Sequence, residues 1–494
     1  MTRGPAAVRA RSWGWRHAGR RRWAVSGLDL AIDPGERVLL LGASGSGKST
    51  LLQALAGVLG DDGDDGESVG ELQVDGMPPS AGRGRSGLVL QDPDSQVVLA
   101  RAGDDVAFAC ENLGIPREQI WPRVDAALES VGLNVGRGHP TARLSGGQKQ
   151  RLAIAGILAM RPGLMLLDEP TANVDPEGAV LVRDAVVAAA RATGATLVVV
   201  EHRVALWADA VDRVIVLGES RGDGTGGGII ADGPPAAVFR EHGRSLTESG
   251  VWVPGVAVDT DRRPRSAASD TLLTATALAV GRRAFAARTT TVVASGLSTA
   301  LEAGRALAVT GPNGAGKSTL ALTLAGLLPP AAGSLAALPA LAAGLGPTPT
   351  KWRSRELLTR IGMVFQEPEH QLLTTRVRDE LAVGLRALRR EPAEIAGAVD
   401  ELLERLRLTR LADVNPFTLS GGEKRRLTVA AAIATAPRAL VLDEPTFGQD
   451  ARTWREIADL LDALRADGTA IAFVTHDREL VTALADAELT VSAP

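Results

Sequence analysis

Short unbroken apolar runs recur along the chain at 38–41, 164–167, 197–200, 306–309, 439–442 and 471–474. None alternates with polar residues, so each predicts a strand buried on both faces, as in a parallel sheet. Longer Ala-, Leu- and Arg-rich stretches lie between them, and two of the runs lead almost directly into helix-like segments at 51–56 and 320–325. Strand and helix alternating in this way predict an α/β fold, a mostly parallel sheet flanked by helices.

The turn after the first run reads Gly42-Ala43-Ser44-Gly45-Ser46-Gly47-Lys48-Ser49-Thr50, and the turn after the fourth reads Gly311-Pro312-Asn313-Gly314-Ala315-Gly316-Lys317-Ser318-Thr319. Each is a P-loop in the strand-to-helix context that the motif requires. The glycines let the backbone curl until successive N–H groups, with the positive end of the following helix, surround a polyphosphate. Lys48 and Lys317 are placed to neutralise β/γ-phosphate charge, and Ser49 and Ser318 to ligate Mg²⁺.

The two lysines are separated by 317 − 48 = 269 residues, and later landmarks keep nearly that offset: 275 for Gln91 with Gln366, Ser145 with Ser420 and Asp168 with Asp443, and 274 for His202 with His476. A whole domain is therefore duplicated, with a small insertion in the second copy. A chain of 494 residues is too long for one hydrophobic core. The reading is one domain over 1–254, a polar linker over 255–270, and a second domain over 271–494.

Composition adds exclusions. A formal charge of −4 gives no sign of a nucleic-acid-binding surface. The single cysteine, Cys110, excludes an internal disulfide framework and reads as a small buried residue. The uncharged segment 320–350 is broken by Pro329-Pro330, Gly333, Gly344 and Gly346. It is too interrupted to span a membrane and reads as the P-loop helix followed by a loop insertion; no transmembrane segment is expected. The Arg-rich start reads as strand and turn rather than a transit peptide or secretory signal. The acidic string at 61–67 departs from a calcium-loop spacing and reads as a solvated loop.

The apolar runs 164–167 and 439–442 end in Asp168-Glu169 and Asp443-Glu444. Acids at the C-terminal end of a buried strand, beside a P-loop, suit Mg²⁺ (Asp) and polarisation of an attacking water (Glu). Leu144-Ser145-Gly146-Gly147-Gln148 and Leu419-Ser420-Gly421-Gly422-Glu423 each open a helix whose bare N–H groups offer a further anion site.

On these motifs the chain resembles two fused nucleotide-binding domains of ATP-binding-cassette (ABC) proteins, over essentially all of its length except the linker. The resemblance implies two tandem P-loop NTPase domains, each with a helical subdomain carrying the Ser-Gly-Gly signature, that bind and hydrolyse ATP with Mg²⁺. It implies an intramolecular sandwich in which Ser145, Gly146 and Gly147 close over nucleotide held by Lys317, and Ser420, Gly421 and Gly422 over nucleotide held by Lys48. Glu169 and Glu444 match the family's catalytic base, His202 and His476 its switch histidine, and Gln91 and Gln366 the loop glutamine that contacts Mg²⁺ and water. Asp175 and Asp450 match the loop that links the two sites. The family stacks adenine on an aromatic upstream of the P-loop, which selects Trp15 in the first domain; in the second the offset reaches Ala284, with Phe285 beside it.

Gln91-Asp92-Pro93-Asp94-Ser95-Gln96 and Gln366-Glu367-Pro368-Glu369-His370-Gln371 are followed by Asp105-Val106-Ala107-Phe108 and Glu380-Leu381-Ala382-Val383. This pattern is similar to energy-coupling-factor (ECF) transporter ATPases of the cobalt, nickel and vitamin uptake group. Glu201 before His202, and Phe447-Gly448-Gln449, resemble the fused ATPases of thiamine-precursor systems. The resemblance implies a peripheral subunit on the cytoplasmic face of the membrane, docked through the regions after Gln91 and Gln366. Its partners would be a membrane-embedded coupling protein and a substrate-binding membrane protein. A fused sugar-importer ATPase and a soluble, translation-associated tandem ABC protein are the alternatives.

Overall fold

The structure is a computed structural model that describes the chain apart from residues 1–3, 21, 44, 60–65, 83, 172–173, 175, 202–203, 219–227, 257–262, 264–269, 283–289 and 493–494. It forms two compact units, Met1–Ala257 and one made chiefly of Val258–Gln449 with Thr453–Pro494.

In the first unit the P-loop strand Arg37–Gly42 lies inside a six-stranded sheet. The spatial order is Ser86–Val89, Leu164–Asp168, Thr196–Val200, Arg37–Gly42, Arg213–Leu217 and Ile229–Gly233, parallel except for the last pair. The apolar runs fill it because both faces are covered: every residue of Leu164–Asp168 and Thr196–Val200 is buried. A three-stranded antiparallel sheet of Val25–Ile32, Val8–His17 and Gly66–Val74 accompanies it. Three helices, Ala102–Asn112, Arg117–Ser130 and Gly146–Met160, share one apolar cluster through Val106, Val124 and Leu152.

The second unit repeats the plan. Five parallel strands stand in the order Ile361–Val364, Ala439–Asp443, Ala470–Val474, Ala306–Thr310 and Ala487–Thr490. The antiparallel sheet is Thr291–Glu302, Thr271–Arg282 and Ala332–Ala337, and the helices are Val377–Ala387, Pro392–Arg405 and Gly421–Ile433. In both units the parallel strands bring the P-loop and the Asp-Glu pair to the same, C-terminal edge, where open α/β sheets bind their ligands.

The segment 320–350 is not the loop insertion expected from its sequence. Ala332–Ala337 is a regular third strand, paired antiparallel with Thr271–Arg282, and Pro339–Ala342 forms a helical turn. Alanine is a poor strand former and carries no alternation signal, so pairing with a neighbouring strand decides its conformation. Gly333 is required there: at φ +76 a Cβ would stand 2.2 Å from the carbonyl oxygen of Ala277.

Residues 61–65 of the acidic string lie outside the described residues, but Glu67 belongs to the strand Gly66–Val74 and pairs with Arg16. The Arg-rich start leads into the strand Val8–His17. Cys110 is fully buried, which pushes its thiol pKa up. Among the described residues no helix is long and apolar enough to cross a membrane.

Candidate active site

Each P-loop turns on a glycine in left-handed conformation immediately before its lysine: Gly47 at φ 88 and Gly316 at φ 94. A Cβ on Gly47 would meet the carbonyl oxygen of Ala24 at 2.4 Å, so no larger residue fits. Lys48 Nζ donates to the carbonyls of Gly42 (2.8 Å) and Ala43 (2.9 Å), and Lys317 Nζ to those of Gly311 and Pro312, both 2.9 Å. The ammonium thereby holds the loop's curl from within. Burial lowers both lysine pKa values, opposed by the charges of Glu169 and Asp168 around Lys48 and of Glu444 and Asp443 around Lys317. The expected acids thus face the expected cations. Ser44 lies outside the described residues.

In the second unit, burial raises the Asp443 carboxyl, although the Ser318 hydroxyl hydrogen-bonds to it. Its Oδ1 is buried and has no hydrogen-bond partner among the described residues. Glu444 follows at φ 51, a left-handed conformation uncommon for a non-glycine residue, and Glu169 repeats it at φ 49. Strain of this kind persists where the surrounding structure enforces it. Burial, and then the neighbouring charge of Asp443, push Glu444 up to about 7. Its Oε2 accepts from the His476 N–H and the Thr475 hydroxyl, each at 3.4 Å. His476 Nε2 stands 3.7 Å from Glu444 Oε1 and 2.9 Å from Asn313 Oδ1. The histidine therefore bridges the acid and the P-loop.

In the first unit Gln91 Nε2 donates to Glu169 Oε2 at 2.9 Å, joining the loop glutamine to the acid. His202 and Asp175 lie outside the described residues. Ser145 and Ser420 each cap a helix in a reciprocal box. Gln148 N–H donates to Ser145 Oγ at 3.4 Å while Ser145 N–H donates to Gln148 Oε1 at 2.9 Å, and Glu423 plays the same part for Ser420 at 3.4 and 2.9 Å. Gly146 and Gly421 face open space. Among the described residues neither serine hydroxyl hydrogen-bonds to the P-loop of its own unit.

The packing of Trp15 argues against the stacking role expected of it. Its side chain is only 3% exposed, packed in the core of the antiparallel sheet with Trp13 and Leu28, and an indole with no free face cannot stack a base. His17, at the end of the same strand, is less buried and stands 3.2 Å from the Thr50 hydroxyl. Arg282 Nε donates to the corresponding Thr319 hydroxyl at 3.3 Å. Ala284 and Phe285 lie outside the described residues.

Several residues that the sequence reading took only as motif letters have structural roles of their own. Gln96 closes the first glutamine loop, accepting from Leu90 N–H at 2.8 Å and donating to the Leu88 carbonyl at 3.0 Å. Gln371 accepts from Phe365 N–H at 3.3 Å and donates to the Thr428 carbonyl at 3.0 Å. The spacing between the two glutamines of each motif was the available signal. Asp105 Oδ1 accepts from Val98 and Leu99 N–H (2.8 and 2.7 Å), and Glu380 Oε2 from Leu373 and Thr374 N–H (2.9 and 2.8 Å). These carboxylates fix turns that expose Val98 by 62% and Leu373 by 74%. Arg425, buried in the helix Gly421–Ile433, donates to the backbone of the glutamine loop, and burial pushes its pKa down to about 10.

The sequence profile of the family described as ABC transporter matches residues 25–172 and 294–447. A Bacillus subtilis (strain 168) protein, named provisionally an HMP/thiamine import ATP-binding protein, is 36% identical, with 94% of this chain and 86% of that one aligned. A Methanosarcina acetivorans protein, named provisionally an ABC transporter ATP-binding protein, is 31% identical over 94% of this chain and 80% of its own. Among solved structures, one of ribosome-bound archaeal Pelota and ABCE1 superposes with a TM-score of 0.67 at 18% identity, covering 97% of this chain and 76% of that one.

Proposed function

The chain belongs to the ABC transporter ATP-binding proteins, and from that premise we propose that it is the ATP-hydrolysing subunit of an ECF-type importer working through separate membrane subunits. HMP or thiamine is the cargo this reading favours, on the 36% identity to the Bacillus subtilis protein of that name. The likeness to the ribosome-bound structure, at 18% identity, speaks to fold alone.

The observation that carries the importer reading is the pair of exposed apolar turns. Val98 and Leu373 stand out beside the glutamine loops, on backbone that Asp105 and Glu380 hold rigid. An exposed apolar side chain is ordinary by itself. What suits a protein partner is its recurrence beside the glutamine loop of both units, each time on a turn held by a carboxylate, and here that partner would be the membrane-embedded coupling subunit. Movement of the partner would reach Gln91 through the loop that Gln96 closes, and Gln91 already bonds to Glu169.

In the reaction, Lys48 and Lys317 would hold the terminal phosphates of ATP, and Glu169 and Glu444 would orient and polarise the attacking water. The residues fit Mg²⁺. Asp443 has a buried oxygen with no hydrogen-bond partner among the described residues and a second contact to Ser318, and Asp168 and Ser49 stand at the corresponding sequence positions in the first unit. Among the described residues no group of three His, Cys or acidic side chains could hold a metal by itself, so phosphate and water would complete the shell. Gln91 and Gln366 would add their side-chain oxygens. When bound, Mg²⁺ would neutralise charge developing on the phosphates.

The test is uptake of labelled HMP and thiamine by cells lacking this chain. Uptake should fall and return with the wild-type chain, but not with a Glu169→Gln/Glu444→Gln double variant. Unchanged uptake of both, and of cobalt and nickel, would overturn the importer assignment.

A further inference from the structure

The two units differ where the strand behind each base ends. The strand Ala470–Val474 runs into Thr475-His476-Asp477, whereas Thr196–Val200 runs into Glu201-His202-Arg203. The registers are the same: Asp168 pairs with Val200 and Asp443 with Val474. The N–H groups of Glu169 and Glu444 donate to the Val200 and Val474 carbonyls at 2.9 and 3.0 Å. Glu201 and Thr475 therefore occupy one structural position.

Their chemistry is opposite. Thr475 donates its hydroxyl to Glu444 Oε2 at 3.4 Å, whereas the side-chain oxygen at the same position in the first unit is an acceptor. Glu201 Oε1 instead accepts from the N–H and hydroxyl of Thr171, at 2.9 and 2.5 Å. The counterpart of Thr171, Thr446, donates its hydroxyl to Asp477 Oδ2 at 2.9 Å. The carboxylate that secures this threonine has thus moved from after the histidine in the second unit to before it in the first. The exchange removes the hydroxyl behind the base, and Glu169 receives the amide of Gln91.

We propose that the two bases differ in one of their positioning donors, the Thr475 hydroxyl beside the His476 N–H for Glu444 and the Gln91 amide for Glu169, so that turnover in the first unit depends on its glutamine loop more than turnover in the second does. A donor to one carboxylate oxygen fixes the side chain and aims the other oxygen at the water. Such hydrogen bonds shorten as substrate closes the site. The first unit would then fire only while the loop bearing Gln91 is seated, which makes it the half that senses the partner. The inference rests on Glu169 and Glu444 being the bases.

The experiment uses the full chain with one base disabled at a time. With Glu169→Gln as background, Thr475→Val should lower kcat about tenfold with KM for ATP within about twofold, and Thr475→Ser should restore it. Across the two backgrounds, Gln91→Ala should cost at least about fivefold more turnover than Gln366→Ala. Where a single disabled base halts the whole chain, the same variants are read in the otherwise wild-type chain and the same ratios apply. Full turnover in Thr475→Val, no rescue by Thr475→Ser, loss of MgATP binding in Thr475→Val, or equal costs at Gln91 and Gln366 would each overturn the proposal. Wild-type turnover in the Glu169→Gln/Glu444→Gln double variant would instead remove the base assignment beneath it.

Discussion

Arg425 Nη2 donates to the backbone carbonyl of Gln366 at 2.6 Å, and its Nη1 to that of Phe365 at 2.8 Å. The helix capped by Ser420 is thereby tied to the loop that carries the second glutamine. The two carbonyls replace the water that the buried guanidinium has lost, and the charges of Glu444 and Asp443 favour its cationic form. In the first unit the same offset of 275 reaches Gln150, fully buried, with neither side-chain polar atom hydrogen-bonded among the described residues. Arg425→Leu should destabilise the second unit by about 1–3 kcal/mol, because it removes two hydrogen bonds from a charged donor to half-buried carbonyls. Arg425→Gln should cost less and free the loop. Hydrogen exchange at 365–367 reads this, and unchanged protection in Arg425→Gln would rule out the tether.

Glu169→Gln and Glu444→Gln keep the shape of each base and remove its basicity. A positioned general base contributes about 10²–10⁴ in rate, so each variant should lose at least about a hundredfold in its own unit while still binding ATP. Steady-state hydrolysis beside an equilibrium MgATP titration separates the two effects. Weakened binding with an unchanged rate constant would assign these carboxylates to holding nucleotide.

Gly47→Ala places a methyl group 2.4 Å from the Ala24 carbonyl at a backbone φ of 88. The P-loop can only relieve that clash by moving the N–H groups that face the phosphates. ATP stoichiometry should fall from about two to about one per chain. Lys48→Ala should give the same number by a different cause, loss of the cation. Two full sites in either variant would contradict the placement of phosphate here.

The glycine-rich turns were legible in the sequence because a tight strand-to-helix turn needs glycine at positive φ before its lysine, and the Asp-Glu pairs because a buried strand announces its own end. Trp15 marks the limit of such spacing rules. An aromatic at the right distance satisfies a one-dimensional rule, but packing decides that its ring faces the core and that His17 lies beyond it. Arg425 and Gln150 read as ordinary polar positions on a helix, since burial depends on what the rest of the unit lays against them. The strand Ala332–Ala337 was hidden by alanines that carry no alternation. The exchange between Glu201 and Thr475 was visible as letters, yet its meaning needs the partners, Thr171 on one side and Glu444 on the other.

Arg37 begins the first P-loop strand and is bound to Asp212 three times, through its backbone N–H (3.1 Å), Nε (2.9 Å) and Nη2 (2.5 Å). The pair fixes where that strand starts against Arg213–Leu217, and so where its far end presents the P-loop. The Arg37 hydrogen bond holds the Asp212 carboxyl below its ordinary value of 3.8. The unfolded chain therefore takes up this proton first as pH falls, and the pair's contribution, fully present above about 5, is lost as pH drops below 4 through the folded-state value. The Asp212 side chain is 46% exposed, so the effect is small and should weaken with salt. Asp212→Asn should lower the urea midpoint of the first unit by a constant amount from pH 7 to 5, with the gap narrowing towards pH 3.5. A gap as wide at pH 3.5 as at pH 7 would mean that the contacts there depend on shape and not on charge.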